Sequence, residues 1–389
     1  MVSQKTVVLV QYSSNHGGST ISGLLIARMF VAAGWRVHVV FGFAGRFEAV
    51  FQKEGCSTEV VPHSSWLRSG SFWRFLRNGF AEWRKASWFA KVCAEQKADL
   101  VYVNSLVSMA AAVGAKRQRV PVIWHLRELF SDAGGEMMIP GLVGKLPIRR
   151  MVRRNADQVV CISESVRCNL LGNGDSEKTR VIPNAVDARL RDSIDRKGAR
   201  SFFDLESGAP VVGIPGTLRP MKGHTFVFQS LAAVLKQIPS VIVVVSGDLE
   251  ADYASTVLKQ AREFGVYDSC RFLGNVEDMS QFYAACDVVC VPSRSEPFGR
   301  TVIEAFASNR PVIGSRVGGI RETIRDSVNG VLVDYGDYSS MATAIVRVLS
   351  DQSYSNRIVE RAKCDLEERY TEEACAKRLL KLVEQVTAS

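Results

Sequence analysis

The sequence predicts an α/β protein of two doubly wound domains, each a parallel sheet covered by helices on both faces. Three observations lead there. Short apolar, β-branched runs alternate with longer amphipathic stretches along the whole chain, the pattern of βα units feeding parallel sheets. The 389 residues are too many for one ordinary core and suit two domains of about 150–200 residues each. In each half, a strand runs into a glycine-containing loop before its first helix. With 47% hydrophobic and 23% charged residues, the chain is globular rather than disordered.

The strands expected in the first half are 7–10, 37–41, 59–61, 100–103, 122–124, 158–162 and 180–182, with the clearest helices at 21–33 and 105–115. The second half repeats the theme with strands at 211–214, 241–245, 271–273, 287–291, 311–313 and 331–333. This gives a first Rossmann-like domain over 1–183, a linker over 184–209 where periodicity is lost, and a second domain over 210–370. Ala374, Leu379, Leu382 and Val386 fall near helical spacing, so 371–389 is expected to be a helix packing back on the first domain. Two such domains leave a central cleft at the carboxyl ends of their strands, where ligands bind in folds of this kind.

Charge is unevenly placed. Residues 1–180 carry 24 basic and 13 acidic side chains, whereas 181–389 carry 25 and 27, so the first half holds the net charge of +9. Such an asymmetry points to an anionic partner for the first domain. The segment from Trp66 to Lys91 concentrates the effect. It holds Trp66, Trp73, Trp83 and Trp88, four phenylalanines, and the bases Arg68, Arg74, Arg77, Arg84, Lys85 and Lys91 against the single acid Glu82. Phe72, Leu76, Phe80 and Trp83 share one helical stripe. Two readings fit: a core helix packed on the first sheet, or a helix lying in an anionic lipid headgroup layer with Trp66, Trp73, Arg74, Arg77, Trp83, Arg84 and Lys85 toward the membrane. Nucleic acid is excluded as partner, because no recognition motif accompanies the basic residues.

Nine scattered cysteines without a Cys-x-x-Cys pair argue against a disulfide framework or structural zinc and for a reducing compartment. The N-terminal apolar run is too short for a signal peptide. No apolar stretch reaches the length of a bilayer span. The expectation is a cytoplasmic protein, peripheral at the inner face of a membrane.

The segment richest in chemistry is Pro292-Ser-Arg-Ser-Glu296-Pro-Phe298-Gly299-Arg300-Thr301-Val-Ile-Glu304. A buried strand ends, a Pro/Gly loop follows, and a helix starts near Gly299. Amides at such a start favour an anion such as a diphosphate. Glu304, on an otherwise apolar helical stretch, is costly unless it accepts hydrogen bonds, and paired ribose hydroxyls are suitable donors. Lys222, projecting from the Gly216–Gly223 loop, is the natural cation for a departing diphosphate.

These motifs resemble those of the retaining GT-B glycosyltransferases of family 4, the group 1 glycosyl transferases. The glutamates eight apart around Phe298-Gly299 correspond to the family signature. Val212-Gly-Ile-Pro-Gly216-Thr-Leu-Arg219-Pro-Met-Lys222-Gly223 is similar to its strand–glycine–Arg…Lys-Gly loop. Phe272-Leu-Gly274, Tyr283-x-x-x-Asp287, Gly318-Gly-Ile-x-Glu322 and Asn329-Gly-Val-Leu-Val333 also match. So do Gly17-Gly18, His125, Asp157…Ile162-Ser163-Glu164 and Ile182-Pro-Asn184 in the first half.

The resemblance implies a hexosyltransferase-type enzyme using a UDP- or GDP-linked sugar, with retention, without a metal or other cofactor, on a glycan or lipid-linked acceptor such as those of lipopolysaccharide synthesis. His125, Lys222 and Glu296 would be catalytic. Gly17, Gly18, Gly216, Arg219, Lys222, Phe298, Gly299, Arg300, Thr301 and Glu304 would bind the donor. The chain departs from the family in one place: Thr217 stands where an arginine is usual, with Arg219 two residues on. Two other readings stay open, a nucleotide-sugar-binding scaffold with a decayed clamp and a nucleotide-sugar epimerase of the same architecture.

Overall fold

The computed structural model describes residues 4–388 apart from 16, 63–65, 68–70, 131–136, 138, 173, 175–176 and 192–193. Arg68 thus lies outside the described residues. The chain divides into two compact units, one made of Met1–Ala185 with Glu372–Ser389 and the other of Val186–Thr371.

The first unit holds β1 (Thr6–Gln11), β2 (Arg36–Phe41), β3 (Ser57–Val60), β4 (Leu100–Val103), β5 (Val122–Leu126), β6 (Gln158–Cys161) and β7 (Thr179–Val181). The second holds β8 (Val211–Ile214), β9 (Ile242–Ser246), β10 (Cys270–Gly274), β11 (Val288–Val291), β12 (Val312–Ser315) and β13 (Val331–Val333). The sheet orders are β3-β2-β1-β4-β5-β6-β7 and β10-β9-β8-β11-β12-β13. All pairings between these strands are parallel. Each unit is therefore a doubly wound, Rossmann-like α/β fold. Every strand read from the apolar runs is present, because central parallel strands are buried on both faces and must be continuously apolar.

Three aspartates recur in one structural role. Asp99, Asp157 and Asp287 each lie just before a strand and accept the leading N–H of its neighbour, from Thr6 at 2.7 Å, Val122 at 2.8 Å and Val211 at 2.8 Å. A strand's first amide has no ladder partner of its own, and the carboxylate supplies one. Asp157 and Asp287, met as motif residues, are thus sheet pins.

Residues 184–209 were expected to be a linker, and the structure corrects this. Residues 184–185 belong to the first unit and 186–209 to the second. Asp195 caps the helix Arg196–Phe202, accepting from Lys197 and Gly198 N–H at 3.1 and 2.9 Å. Ala199 and Arg200 of that helix are buried, and the Arg200 guanidinium donates to Asp287 Oδ2 at 2.6 Å. The anchor is an ion pair between the buried Arg200 and the half-buried Asp287 rather than an apolar stripe, which is why hydrophobic periodicity did not show it.

The helix Glu372–Thr387 lies on the first unit, where Cys375, Leu379, Leu382, Val383 and Val386 join one core with Leu24, Leu25 and Phe30. Among the described residues no helix is long and apolar enough to cross a membrane.

Asp287→Ala removes the pin of β8 and leaves the Arg200 cation buried without its carboxylate. The expected cost is about 3 kcal/mol, read as a fall in the urea-unfolding free energy; a loss under about 1 kcal/mol would refute this account of the pin.

Candidate active site

In the second unit β8 and β11 are neighbours, although β9 and β10 separate them in sequence. Their connections leave in opposite directions, which opens a crevice at their carboxyl ends. The loop after β8 carries Gly216 to Gly223, and the loop after β11 carries Pro292 to Gly299, so the fold brings the two strongest motifs to the same point.

Glycines allow these loops to touch backbone to backbone. A Cβ on Gly223 would lie 2.0 Å from the Pro292 carbonyl oxygen, and one on Gly318 would lie 2.0 Å from that of Glu296. The Gly319 amide donates to the same Glu296 oxygen at 2.9 Å. Held this way, the Glu296 carboxylate is buried and accepts from Lys222 Nζ at 2.7 Å, Gly299 N–H at 3.3 Å and Ser293 Oγ at 3.4 Å. Lys222 and Glu296, expected on the diphosphate and on the donor sugar respectively, are thus an ion pair in this structure.

Gly299 (φ +93°) caps the helix Arg300–Ala307. Its own amide is already occupied by Glu296, so an anion at this helix start relies on the amides that follow. Phe298 points its ring into the core, edge-to-face with Tyr370 at 6.1 Å, and only its backbone is available to a ligand. Glu304 sits a turn into the helix with Thr301 behind it. Its Oε2 accepts from the Tyr283 hydroxyl at 2.8 Å and its Oε1 from Arg300 Nη2 and Nε at 2.7 and 3.2 Å. An ionised carboxylate offers about four acceptor sites, which leaves room on Oε2 for a further donor. Burial and the Glu304 charge push the Tyr283 phenol well above its ordinary pKa, so it stays a donor.

Arg219 and Thr217 are both exposed on the β8 loop, with Leu218 buried between them. The Gly216 amide donates to Ser246 Oγ at 3.2 Å. His224, which the sequence reading passed over, opens the next helix buried, with neither ring nitrogen partnered among the described residues. Burial and Lys222 push its imidazole down to about 4, so it is neutral at pH 7.

The remaining candidates stand in the first unit. Gly17 caps the helix Gly18–Ala32 in an extended conformation, and a Cβ there would meet nothing within 4 Å. Packing does not demand glycine at that point; the space is open to a ligand. His125, on β5, is 3% exposed, with Nδ1 2.6 Å from the Tyr102 hydroxyl and 3.2 Å from Arg127 Nη2. Burial and the Arg127 charge hold its pKa well below that of a free imidazole. Beside it, Glu128 accepts from Ser105 Oγ and from the amides of Leu106 at 3.2 Å and Arg127 at 3.0 Å. Burial raises its pKa. Tyr102, Arg127 and Tyr283 were not foreseen as site residues. Only Tyr283 carried a signal, its place in a family motif.

Within the segment 66–91, the helix Phe72–Arg84 is built inside out. Trp73 is 77% exposed, Leu76 45%, Phe80 61% and Trp83 48%, whereas Glu82 is fully buried and paired with Lys85 Nζ at 3.4 Å. Arg74, Arg77 and Arg84 are exposed around this stripe. The expectation for Trp66 is corrected: it is 4% exposed and packs on Phe75 with ring centroids 5.4 Å apart, so it anchors the segment and faces no membrane.

Two Rossmann-like units, one carrying a lysine, a glutamate pair and a helix start at its topological switch point, define a nucleotide-sugar glycosyltransferase of the GT-B type. Comparison with known proteins agrees. Residues 17–185 match the family model described as a glycosyl transferase 4-like domain, and residues 195–365 match glycosyl transferases group 1. The chain belongs to the group 1 glycosyltransferases. It is 28% identical over 352 residues to the lipopolysaccharide core biosynthesis glycosyltransferase LpsE of Rhizobium meliloti (strain 1021), covering 89% of this chain and 98% of that one. A D-inositol 3-phosphate glycosyltransferase of Segniliparus rotundus is 33% identical over 164 residues, 41% of this chain and 36% of its own. Among solved structures, Anabaena HepE in complex with UDP-glucose superposes with a TM-score of 0.82 at 23% identity, covering 98% and 99% of the two chains. WaaG, a glycosyltransferase of lipopolysaccharide biosynthesis, gives 0.71 at 16% identity over 98% and 100%.

Gly318→Ala, which drives a Cβ into the Glu296 carbonyl, is expected to lower kcat/KM at least about 100-fold with the far-ultraviolet circular dichroism unchanged. A variant within threefold of wild type would show that the loop yields and that Glu296 needs no such support.

Proposed function

We propose that this enzyme moves a hexosyl group from a UDP-linked sugar, with retention and without a metal, to a membrane-held glycolipid of the lipopolysaccharide-core kind. The observation that carries the reading is the Lys222–Glu296 pair at the switch point of the second sheet, with Glu304 on the helix that starts there. A departing diphosphate takes the Lys222 ammonium, joined by Arg219 in place of the arginine usual at position 217 and by the amides of Arg300 and Thr301 beyond the occupied Gly299. Glu296, released from the lysine, accepts hydroxyls of the transferred sugar. Glu304 accepts the ribose diol at its remaining site. Gly17 and Gly18 admit the substrate to the first unit, and His125 donates to the sugar. The UDP-linked donor is supported by the likeness to HepE, which binds UDP-glucose, and the acceptor by the likeness to LpsE along nearly its full length.

Acceptor-dependent UDP release, assayed in the presence of EDTA, tests the donor site. Wild type is expected to remain active. Lys222→Ala should lose about 100-fold or more in kcat, and Glu304→Ala should raise KM for the nucleotide sugar about 10-fold or more. Full activity in either variant, or none in wild type under EDTA, would sink the assignment.

The exposed Trp73, Leu76, Phe80 and Trp83, ringed by arginines, support attachment to an anionic membrane surface through the helix Phe72–Arg84. A core helix would bury this stripe and expose Glu82; here the two are exchanged. The arginines should each contribute about 1 kcal/mol near such a surface, a share that salt removes. The protein is expected to float with phosphatidylglycerol-containing vesicles at low salt, and a Trp73→Ser/Phe80→Ser variant to stay behind. Equal flotation of the two would transfer the surface elsewhere.

A further inference from the structure

We infer that Arg127 fixes His125 as its neutral Nε2–H tautomer, so that this histidine serves only as a hydrogen-bond donor and never as a base. The argument starts from donors and acceptors. Arg127 Nη2 lies 3.2 Å from His125 Nδ1. A guanidinium has N–H groups and no lone pair toward a partner, so at this contact it donates and Nδ1 is the acceptor. The Tyr102 hydroxyl, 2.6 Å from the same nitrogen, is able to donate or accept when considered alone. Beside Arg127 it donates as well. A proton on Nδ1 would face both an arginine N–H and the phenol, with its own lone pair gone.

The single ring proton of the neutral imidazole therefore sits on Nε2. That nitrogen is buried and has no partner among the described residues. A buried N–H without an acceptor is costly, which marks it as reserved for an oxygen not supplied by the protein. Burial and the Arg127 cation both oppose a second proton, so the ring stays neutral and its one lone pair remains engaged.

Arg127 is held rigidly enough to enforce this. Its Nε donates to Asn104 Oδ1 at 2.6 Å and its Nη1 to Asn184 Oδ1. Asn104 in turn donates to Gln11 Oε1 at 2.9 Å and to the Ser19 carbonyl at 3.1 Å. The tautomer is thus set by residues at the carboxyl ends of β1, β4 and β5 and after β7, the edge where a doubly wound sheet meets its ligand. Arg127 is a positioning residue in this account, since it acts through His125. The oxygen that receives the Nε2–H is a sugar hydroxyl, which rests on the function proposed above; the other source is a water in the cavity of about 20 Å3 that His125 lines.

Long-range 1H–15N spectra of the full chain, labelled at histidine and compared with His125→Gln to identify the resonances, test the tautomer directly. The expected result is a protonated Nε2 and a pyridine-like Nδ1 at neutral pH; a protonated Nδ1 would overturn the inference. In Arg127→Met the two tautomers should mix, with kcat about 10-fold lower or less than that and KM for the nucleotide sugar unchanged. A pure Nε2–H signal there removes the role given to Arg127. Tyr102→Phe, the gentler change, should leave the tautomer as it is, and a flip to Nδ1–H in that variant would assign the lock to Tyr102 instead. The third arm adds ligands to wild type. A shift of the Nε2 signal with UDP-glucose but not with UDP supports the sugar contact. No shift with either makes the acceptor a buried water and overturns the sugar contact, while the tautomer is decided independently by the first two arms.

Discussion

The second unit depends on how closely two polypeptide backbones approach around residues 292–298. Gly223 lies against the Pro292 carbonyl, Gly318 against that of Glu296 and Gly319 against the Phe298 Cα, each at a distance where a Cβ has no room. These contacts, and not the side chains of the loop, fix where the Glu296 carboxylate points and where the next helix begins. The loop after β11 is pressed between the segment after β8 and the segment after β12. Lys222 follows from the same constraint, because Gly223, its neighbour, is one of the glycines that touches. A carboxylate buried among one ammonium, one amide and one hydroxyl is preorganised, and it has little freedom to relax when charge develops nearby.

The Lys222–Glu296 ion pair also has an electrostatic meaning. The two groups neutralise each other at 2.7 Å, so neither charge is buried alone. In the function proposed above, an anionic group would compete for the lysine and free the glutamate for hydroxyl donors in one step. Glu304 is held differently, by Arg300 one turn before it and by the buried Tyr283 phenol. Its orientation is thus fixed by its own helix and the buried phenol, and in the function proposed above this would lower the ordering cost of binding a ribose.

Most of the architecture was legible in the sequence for a simple reason. A central parallel strand must be apolar throughout, and nine such runs stood out between helical patterns, with the shorter or more polar edge strands β3, β7, β10 and β13 beside them. The glutamate pair, Lys222 and the touching glycines were legible because motif and chemistry coincide there. What escaped was whatever polar side chains decide. The segment 186–209 is anchored by Arg200 on Asp287, which periodicity treats as two surface residues. The helix Phe72–Arg84 buries its acid and exposes its aromatics, and amphipathic spacing alone gives the stripe without saying which face is wet. Trp66 shares the composition of that helix and not its exposure, because Phe75 covers it. Tyr102 was invisible as a partner of His125, since it comes from β4 and meets β5 only in the folded sheet, and Arg127, two residues on, reaches back to the ring only because the chain turns after β5.

The return of the last helix to the first unit bears on how the protein is made. Leu379, Leu382, Val383 and Val386 complete a core whose other members, such as Leu24 and Phe30, lie on the far side of the second unit in the chain. The second unit, continuous from Val186 to Thr371, is whole in sequence as soon as it leaves the ribosome. The first must wait until the helix that follows Thr371 emerges behind it. In a protein that folds during translation, the domain begun first is thus the one finished last.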